Sequence, residues 1–382
     1  MITIKGEYAE AKIYTNELEF NAEKQIEKLL DQPCVSDSTI RIMPDVHAGA
    51  GCAIGTTMTI SDKVVPNLVG VDIGCGMETV KLEQKRINLP ELDSLIKDRI
   101  PAGMETRKSP HRYIEELELE DLRCAHAVNV KRGELSLGTL GGGNHFIEID
   151  KDEEGELYLV IHSGSRNLGL QVAEYYQKKG FDALGGRKTD AIIYDLAYVE
   201  GQNLEDYLHD MKIMQDFAEL NRYAIADEIM KGMKLTEKER FTTTHNYIDL
   251  ESMILRKGAV SAHEGEVLLI PMNMRDGSFI CTGLGNKDWN ESAPHGAGRL
   301  MSRSAAKQSF TVSAFRNEMT DVFSTTVSDE TLDECPMAYK SMDDIVSYIE
   351  PTVRIEKRIV PIYNFKAGEN VLQKRKKKNR TR

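Results

Sequence analysis

Two apolar segments flank a short polar loop in "GTLGGGNHFIEIDKDEEGELYLVIHSGSRNLG", residues 138–169. Such runs joined by "KDEEGE" are typical of a β-hairpin. With the hairpin centred between Glu153 and Glu154, Asp150 faces Leu157 and His145 faces His162. Opposed residues of antiparallel strands have Cβ atoms about 4.5–5.5 Å apart, so this register places two imidazoles together. The chain must then fold around a sheet with glycine turns at its ends.

The rest of the chain mixes strand and helix patterns without an internal repeat or low-complexity linker before residue 367. This mixture predicts an α+β fold with one large domain over residues 1–367. The tail 368–382 is rich in Lys and Arg, and we expect it to be disordered. Strands are predicted at 39–43, 157–162, 266–272 and 278–283, and helices at 18–32, 88–98 and 204–233.

Composition narrows the class of protein. The net charge is −12 although the tail is basic, which argues against a protein that coats DNA and allows RNA binding through local basic clusters. The six cysteines are scattered without a CxxC pair, so neither a disulfide framework nor an all-cysteine zinc site is predicted. An apolar run of about 18 residues and a secretory signal are both absent, which predicts a cytoplasmic protein without a membrane partner.

Several metal-ligating side chains lie next to glycine turns. Asp72 and Cys75 occur in "VGVDIGCGM", and His245 follows three threonines. With His145 and His162 they make a set of carboxylate, thiolate and imidazole donors. A thiolate can bridge two ions, so the set predicts a two-metal site, for which ligand type alone favours zinc. Taken singly, each residue is equally compatible with a turn cap, a buried cysteine or an ordinary strand histidine.

His295 lies in "SAPHGAGR", between Pro294 and two glycines. The following "RLMSRSAAKQSF" has helix-forming composition, so we expect His295 just before a helix N-terminus, which favours phosphate binding. The alternative is a turn with an exposed histidine. A two-metal site beside a phosphate-binding helix end indicates phosphoryl chemistry.

The ordered motifs closely resemble the RtcB family of RNA ligases over almost the whole chain to about residue 367. They are "MPDVHAG", "VGVDIGCGM", "GTLGGGNHFIE", "VIHSGSRNLG", "HNY", "RKGA", "HEGEVLLIPM", "HGAGRLMSR", "AYKSMDDI" and "PIYNFKAG". Each motif is weak by itself, whereas the ordered set is highly specific.

The resemblance implies residue roles. The family binds two Mn²⁺ ions through Asp72, Cys75, His145, His162 and His245, so manganese replaces the expectation of zinc. It implies that His295 takes GMP from GTP as a covalent phosphoramidate. Asp45 matches an acid that supports the active site, and Arg166 matches a contact to RNA or phosphate. Implied GTP or GMP contacts are Asn144, Glu148, Lys257, Asn273, Ser278, Gly296, Ala297, Gly298, Tyr339 and Lys366, with Asn273 standing where many relatives have serine.

The implied activity joins RNA ends that carry a 3′-phosphate or 2′,3′-cyclic phosphate to 5′-hydroxyl ends, through His295–GMP and a guanylylated RNA end. Its setting is tRNA splicing or RNA repair, with an archease-like activator as a further implied partner. Two alternatives stay open. One is a two-metal cyclic phosphodiesterase or phosphatase without guanylylation, and the other is a non-catalytic RNA-binding protein with a structural metal.

Overall fold

The computed structural model describes residues 1–186 and 193–367, and the basic tail 368–382 lies outside the described residues. The described chain has the predicted α+β class. Its helices are α1 (Phe20–Leu30), α2 (Leu89–Arg99), α3 (Val130–Ser136), α4 (Arg166–Ala183), α5 (Gln202–Met233), α6 (Arg303–Ser309), α7 (Val312–Glu318) and α8 (Met342–Ile349). Its strands are β1 (Ile2–Lys5), β2 (Glu10–Ile13), β3 (Ile40–His47), β4 (Ile54–Thr59), β5 (Lys63–Val64), β6 (Gly76–Leu82), β7 (Phe146–Lys151), β8 (Leu157–Ser163), β9 (Val199–Glu200), β10 (Glu237–Thr244), β11 (Asn246–Asp249), β12 (Ile254–Lys257), β13 (Ala259–Ser261), β14 (Val267–Asn273), β15 (Gly277–Gly283), β16 (Ser292–Pro294) and β17 (Val353–Lys366).

Two large sheets carry the fold. One has the strand order β1-β2-β3-β4-β12-β11, and the other has the order β10-β6-β8-β7-β17-β15-β14. The long helix α5 contacts β6 and β8 of the second sheet and also packs against α2 and α4. Its Tyr207, Met211, Met214 and Phe217 are fully buried, so this face of the helix packs in the core.

The predicted hairpin forms, but its register was wrong by one residue. Phe146, rather than His145, is opposite His162, and Asp150 is opposite Tyr158 instead of Leu157. The turn explains the shift, because Asp152 and Glu156 pair through their backbones around a three-residue loop. Gly155 within that loop has φ +81°, a conformation that glycine adopts at low cost in such turns.

None of the helices in the described ranges is long and apolar enough to cross a bilayer.

Candidate metal and nucleotide site

Strand pairing brings three of the predicted metal ligands to one end of the second sheet. Gly76, the first residue of β6, is opposite both Thr244 at the end of β10 and Ser163 at the end of β8. Cys75 therefore precedes one strand, while His245 follows another and His162 is the penultimate residue of the third. The backbone N–H of His245 donates to the Cys75 carbonyl at 2.9 Å, which fixes the meeting point.

His145 reaches the same point from the loop before β7, which is why the register error does not separate the histidines. Its Nε2 atom is 3.4 Å from the Cys75 Sγ atom, and that of His162 is 3.3 Å from the same sulfur. The two imidazole centroids are 5.2 Å apart. The convergence that the sequence predicted is present, although a loop and not a cross-strand pair produces it.

The ligating atoms form two overlapping groups that share Cys75. One group is Cys75, His162 and His245, the other is Asp72, Cys75 and His145, and within each group all atoms lie within 4.8 Å of one another. The shared sulfur suits a thiolate that contacts two cations. A Cβ added at Gly164 would lie 2.3 Å from the Asp72 carboxylate, so this approach requires glycine.

The histidine rings are oriented as metal ligands require. The Nδ1 atom of His145 lies 2.9 Å from the Leu140 carbonyl oxygen, and that of His162 lies 3.1 Å from the Asn144 carbonyl oxygen. We assign both Nδ1–H groups as donors to these carbonyls, which leaves each Nε2 lone pair facing the cluster. Among the described residues the buried Nδ1 atom of His245 has no hydrogen-bond partner.

Burial keeps the imidazoles of His162 and His245 neutral. It lowers the pKa of His162 and of His245 well below the usual value, and neighbouring imidazoles lower it further. Burial and the Asp72 charge raise the pKa of the Cys75 thiol, an effect that a bound cation opposes. This donor set fits divalent cations.

His295 lies beside this cluster and is held by Asp45. Its ring centroid is 5.1 Å from that of His245. The Asp45 Oδ2 atom lies 2.7 Å from His295 Nδ1 and accepts the His295 backbone N–H at 3.1 Å. With Nδ1 occupied, Nε2 is the ring nitrogen that remains for chemistry. Gly298 permits this geometry, because an added Cβ would lie 2.5 Å from the Asp45 carbonyl oxygen.

The expectation that His295 directly precedes a helix was wrong. His295 follows β16, whereas α6 begins at Arg303 with Ser302 as its N-cap. The intervening chain is held in loop form by backbone hydrogen bonds that pair Gly298 with Lys340 and Leu300 with Ala338. The helix N-terminus therefore does not carry the argument for phosphate binding at His295.

His295 lines a cavity of about 680 Å³ together with most of the predicted nucleotide contacts. The buried Ser278 hydroxyl and the Asn364 amide oxygen have no hydrogen-bond partner within the described part of the chain. Unsatisfied polar atoms in a cavity wall are typical of a ligand site. Other predicted residues in its lining are Asn144, Glu148, His162, Asn273, Gly296, Ala297, Gly298, Tyr339 and Lys366.

One buried carboxylate organises the charged wall of this cavity. Glu334 accepts from Lys366 Nζ at 2.8 Å and from the Tyr339 hydroxyl at 2.6 Å. Arg299 and Arg303 approach its other oxygen at 3.3 and 3.1 Å. Burial acts to raise the Glu334 pKa, but these three cations outweigh it and lower that pKa to about 2. Three cations around one carboxylate leave a wall suited to an anionic ligand.

Three residues predicted to contact the nucleotide or RNA have protein partners in the structure. Lys257 is not among the cavity-lining residues, and its Nζ donates to the carbonyls of Ala50 and Asn67 at 3.0 and 2.7 Å. The Asn273 side chain lines the cavity but is hydrogen-bonded within its own turn, to Asp276 at 2.8 Å. Arg166, largely buried near His145, donates to the Gly103 carbonyl at 3.3 Å.

Sequence reasoning missed Glu334, Arg299, Arg303 and Asn364. Asn364 stands two residues before Lys366 on β17, so a period of two places both side chains on one face. Its amide donates to Glu148 at 2.6 Å. The spacing of four between the arginines is a weaker signal, because their convergence on Glu334 needs a contact between distant segments.

Together the fold and site bring two overlapping groups of potential metal ligands, a histidine and a cationic cavity into one α+β framework, an arrangement that suits a phosphate-handling centre. The family model for the tRNA-splicing ligase RtcB matches residues 25–123 and 112–367, and the chain belongs to this RNA ligase family. The RNA-splicing ligase RtcB of Escherichia coli strain K12 is 33% identical over an alignment that covers 89% of this chain and 93% of that protein. The tRNA-splicing ligase RtcB of Aeropyrum pernix is 27% identical, covering 84% and 86%.

Proposed function

We propose that this protein is a GTP- and Mn²⁺-dependent ligase that joins RNA 3′-phosphate or 2′,3′-cyclic phosphate ends to 5′-hydroxyl ends. The observation that carries the proposal is the position of His295. Asp45 holds its Nδ1, and its ring lies between the donor cluster and the cationic cavity. Asp72, Cys75, His145, His162 and His245 would hold the two ions, which when bound neutralise phosphate charge.

In the first step, Nε2 of His295 attacks the α-phosphorus of GTP, a P–N bond forms and pyrophosphate leaves. Asp45 orients the ring and stabilises the positive charge that develops on it. The RNA 3′-phosphate then attacks this phosphorus, the P–N bond breaks and His295 is restored. Finally the 5′-hydroxyl attacks the 3′-phosphate, a phosphodiester forms and GMP leaves. A cyclic phosphate is first hydrolysed to the 3′-phosphate.

Glu148 and Lys366 would recognise guanine. Both line the cavity, and Asn364 joins them because it donates to Glu148 from the same strand as Lys366. An ionised Glu148 accepts from the guanine ring N–H and exocyclic amine, while a lysine donates to O6. Lys257 Nζ donates to two carbonyls, and we propose that its ammonium group also contacts the nucleotide.

Mass spectrometry of the intact protein tests the proposal. Incubation with GTP and Mn²⁺ should add the mass of one GMP, and His295→Ala should abolish this adduct while His209→Ala retains it. Opening of a cyclic phosphate without GTP, with turnover surviving in His295→Ala, would instead support the phosphodiesterase. RNA binding that survives metal removal, with no turnover under any condition, would support the non-catalytic alternative.

The cellular setting follows the same proposal. We expect a cytoplasmic enzyme acting in tRNA splicing or RNA repair, with an archease-like protein as activator. That residues 1–367 form one ligase domain remains a prediction.

A further inference from the structure

A second histidine lines the cavity beside His295. His47 is the last residue of β3, and its ring centroid lies 6.5 Å from that of His295, with 22° between the two ring planes. The side chain is half-buried and forms part of the cavity wall. Neither the donor cluster nor the attack on GTP uses His47, so its imidazole is available to a ligand in the cavity.

The protein holds the His47 ring by one of its two nitrogens. The Nδ1 atom lies 2.9 Å from the Asp45 carbonyl oxygen, and we assign the ring proton to Nδ1, which donates to this acceptor. The Nε2 atom has no hydrogen-bond partner within the described part of the chain. A neutral imidazole in this tautomer carries an acceptor lone pair on Nε2.

The loop that follows His47 is also fixed. Gln25 exchanges two hydrogen bonds with the backbone of Gly49, at 2.7 and 3.1 Å. The backbone N–H of Ala48 donates to Glu19 at 3.3 Å. Because the segment is already ordered, a ligand that binds His47 loses little free energy in positioning the ring.

The charge state of His47 restricts the kind of ligand group that it can bind. Burial lowers the pKa of His47, and the charges of His295 and Arg299 lower it further, while the hydrogen bond and charge of Asp45 oppose this. The imidazole is therefore neutral at pH 7, and its lone pair needs a hydrogen-bond donor. An ionised phosphate offers only acceptors, and in the proposed function the guanine donors belong to Glu148. The donor that remains in these substrates is an alcohol hydroxyl.

We propose that Nε2 of His47 accepts a hydrogen bond from a substrate hydroxyl beside His295. The inference rests on the proposed ligase function, whose substrates offer two such groups: the ribose hydroxyls of GTP and the 5′-hydroxyl of the second RNA end. His47 would bind a hydroxyl, while the cations around Glu334 would meet the phosphates.

Three variants of His47 separate an acceptor from other roles. In His47→Asn the amide N–H can still donate to the Asp45 carbonyl, but the acceptor at the Nε2 position is lost. In His47→Gln the longer side chain can place its amide oxygen at that position. His47→Lys supplies a cation and no acceptor. His126→Ala is the control, because His126 is exposed and is not among the cavity-lining residues.

The first arm of the test concerns the ribose. It compares GTP with 2′,3′-dideoxy-GTP, both for affinity and for the rate of GMP adduct formation without RNA. If a ribose hydroxyl is the partner, wild type and His47→Gln should prefer GTP by about tenfold, the effect expected for one hydrogen bond, and His47→Asn should lose this preference.

The second arm concerns the RNA. It measures joining of an RNA strand that already carries a guanylylated 3′ end to a strand with a 5′-hydroxyl. If the 5′-hydroxyl is the partner, His47→Asn should slow joining by about tenfold and leave adduct formation unchanged, and His47→Gln should join at nearly the wild-type rate.

Other outcomes overturn the inference. Unchanged rates in both arms for His47→Asn would show that no hydroxyl depends on His47. An equal loss of adduct formation from GTP and from the dideoxy nucleotide would indicate a structural role, and wild-type rates in His47→Lys would indicate a contact with phosphate. If the wild type forms no GMP adduct, the ligase proposal fails and nucleotide affinity decides the inference. A preference for GTP that His47→Asn removes would then sustain it, and no preference in the wild type would overturn it.

Discussion

The donor cluster around Cys75 and the cavity wall around Glu334 are both buried, yet their electrostatics are opposite. In the cluster, imidazoles and a thiol face one another at 3.3–3.4 Å, and backbone carbonyls orient the rings. In the wall, three cations surround one ionised carboxylate. The cluster presents lone pairs that suit a cation, and the wall presents positive charge that suits an anion.

His295 adjoins both regions, because its ring centroid lies 5.1 Å from that of His245 and the residue also lines the cavity. A cation held by the cluster and an anion in the cavity would both lie near the Nε2 atom of His295, where the proposed phosphoryl transfer would develop charge. The two regions should therefore respond differently to substitution, which the following predictions test from the largest effect to the smallest.

Cys75→Ser should abolish cation binding by the donor cluster. Cys75 is the residue that both donor groups share, and serine supplies no thiolate, so we expect loss of bound metal and at least a hundredfold lower affinity, a figure on the order of ligand-sphere effects. Metal analysis of the purified protein checks this. Cys281→Ser, in β15, is the control, and full metal occupancy in Cys75→Ser would contradict the assignment.

Asp45→Asn should weaken the support of His295, the residue that adjoins both regions. The amide keeps the shape but removes the charge that supports His295, so GMP adduct formation should slow by roughly a hundredfold or more. Single-turnover measurement with labelled GTP checks this, with Asp288→Asn as a surface control. A rate within about twofold of wild type would show that Asp45 does not support the nucleophile.

Glu334→Gln should lower the free energy of unfolding at pH 7 by about 3 kcal/mol, because folding lowers the pKa of the Glu334 carboxyl from 4.5 to about 2. A carboxyl group whose pKa is lower in the folded than in the unfolded protein stabilises the fold at pH values above its unfolded pKa. The contribution of Glu334 should therefore disappear as the pH falls from 4.5 towards 2. Urea unfolding of both proteins at several pH values checks this. The exposed Glu350→Gln is the control, and a difference independent of pH would contradict the charge argument.

GTP affinity should rise with pH and become level above about 7. Burial raises the pKa of Glu148 to about 7, partly opposed by Asn364 and Lys366, so the ionised acceptor is lost below that value. Affinity should therefore fall by up to about tenfold for each pH unit below 7. Binding titrations of GTP check this, and Glu148→Gln should bind more weakly with little pH dependence. A persistent pH dependence in that variant would place the titrating group elsewhere.

Much of the fold and the donor cluster could be predicted, because local patterns determine them. The helix predicted at 204–233 corresponds to α5, and the glycine turns beside Cys75 and His145 mark the end of the sheet. The hairpin register was missed because it depends on whether the turn closes over three residues or four. The helix after His295 was misplaced because tertiary backbone pairing overrides the helical preference of that segment.

The charged wall could not be predicted from local sequence. Nothing in the local sequence distinguishes Glu334 from the other acidic residues. Its role arises from Lys366 and two arginines that distant segments supply. Lys257 shows the converse, because the motif that suggests a nucleotide contact does not reveal its two carbonyl partners.

The strand β17 has a consequence for how the protein is made. It is the last described strand, yet it inserts between β7 and β15 and carries Lys366. Its partners in β7 are more than two hundred residues earlier, and such distant pairing is slow to form. The sheet cannot close until the ribosome has delivered nearly all of the polypeptide, so a prematurely terminated product lacks the part of the cavity wall that Asn364 and Lys366 supply.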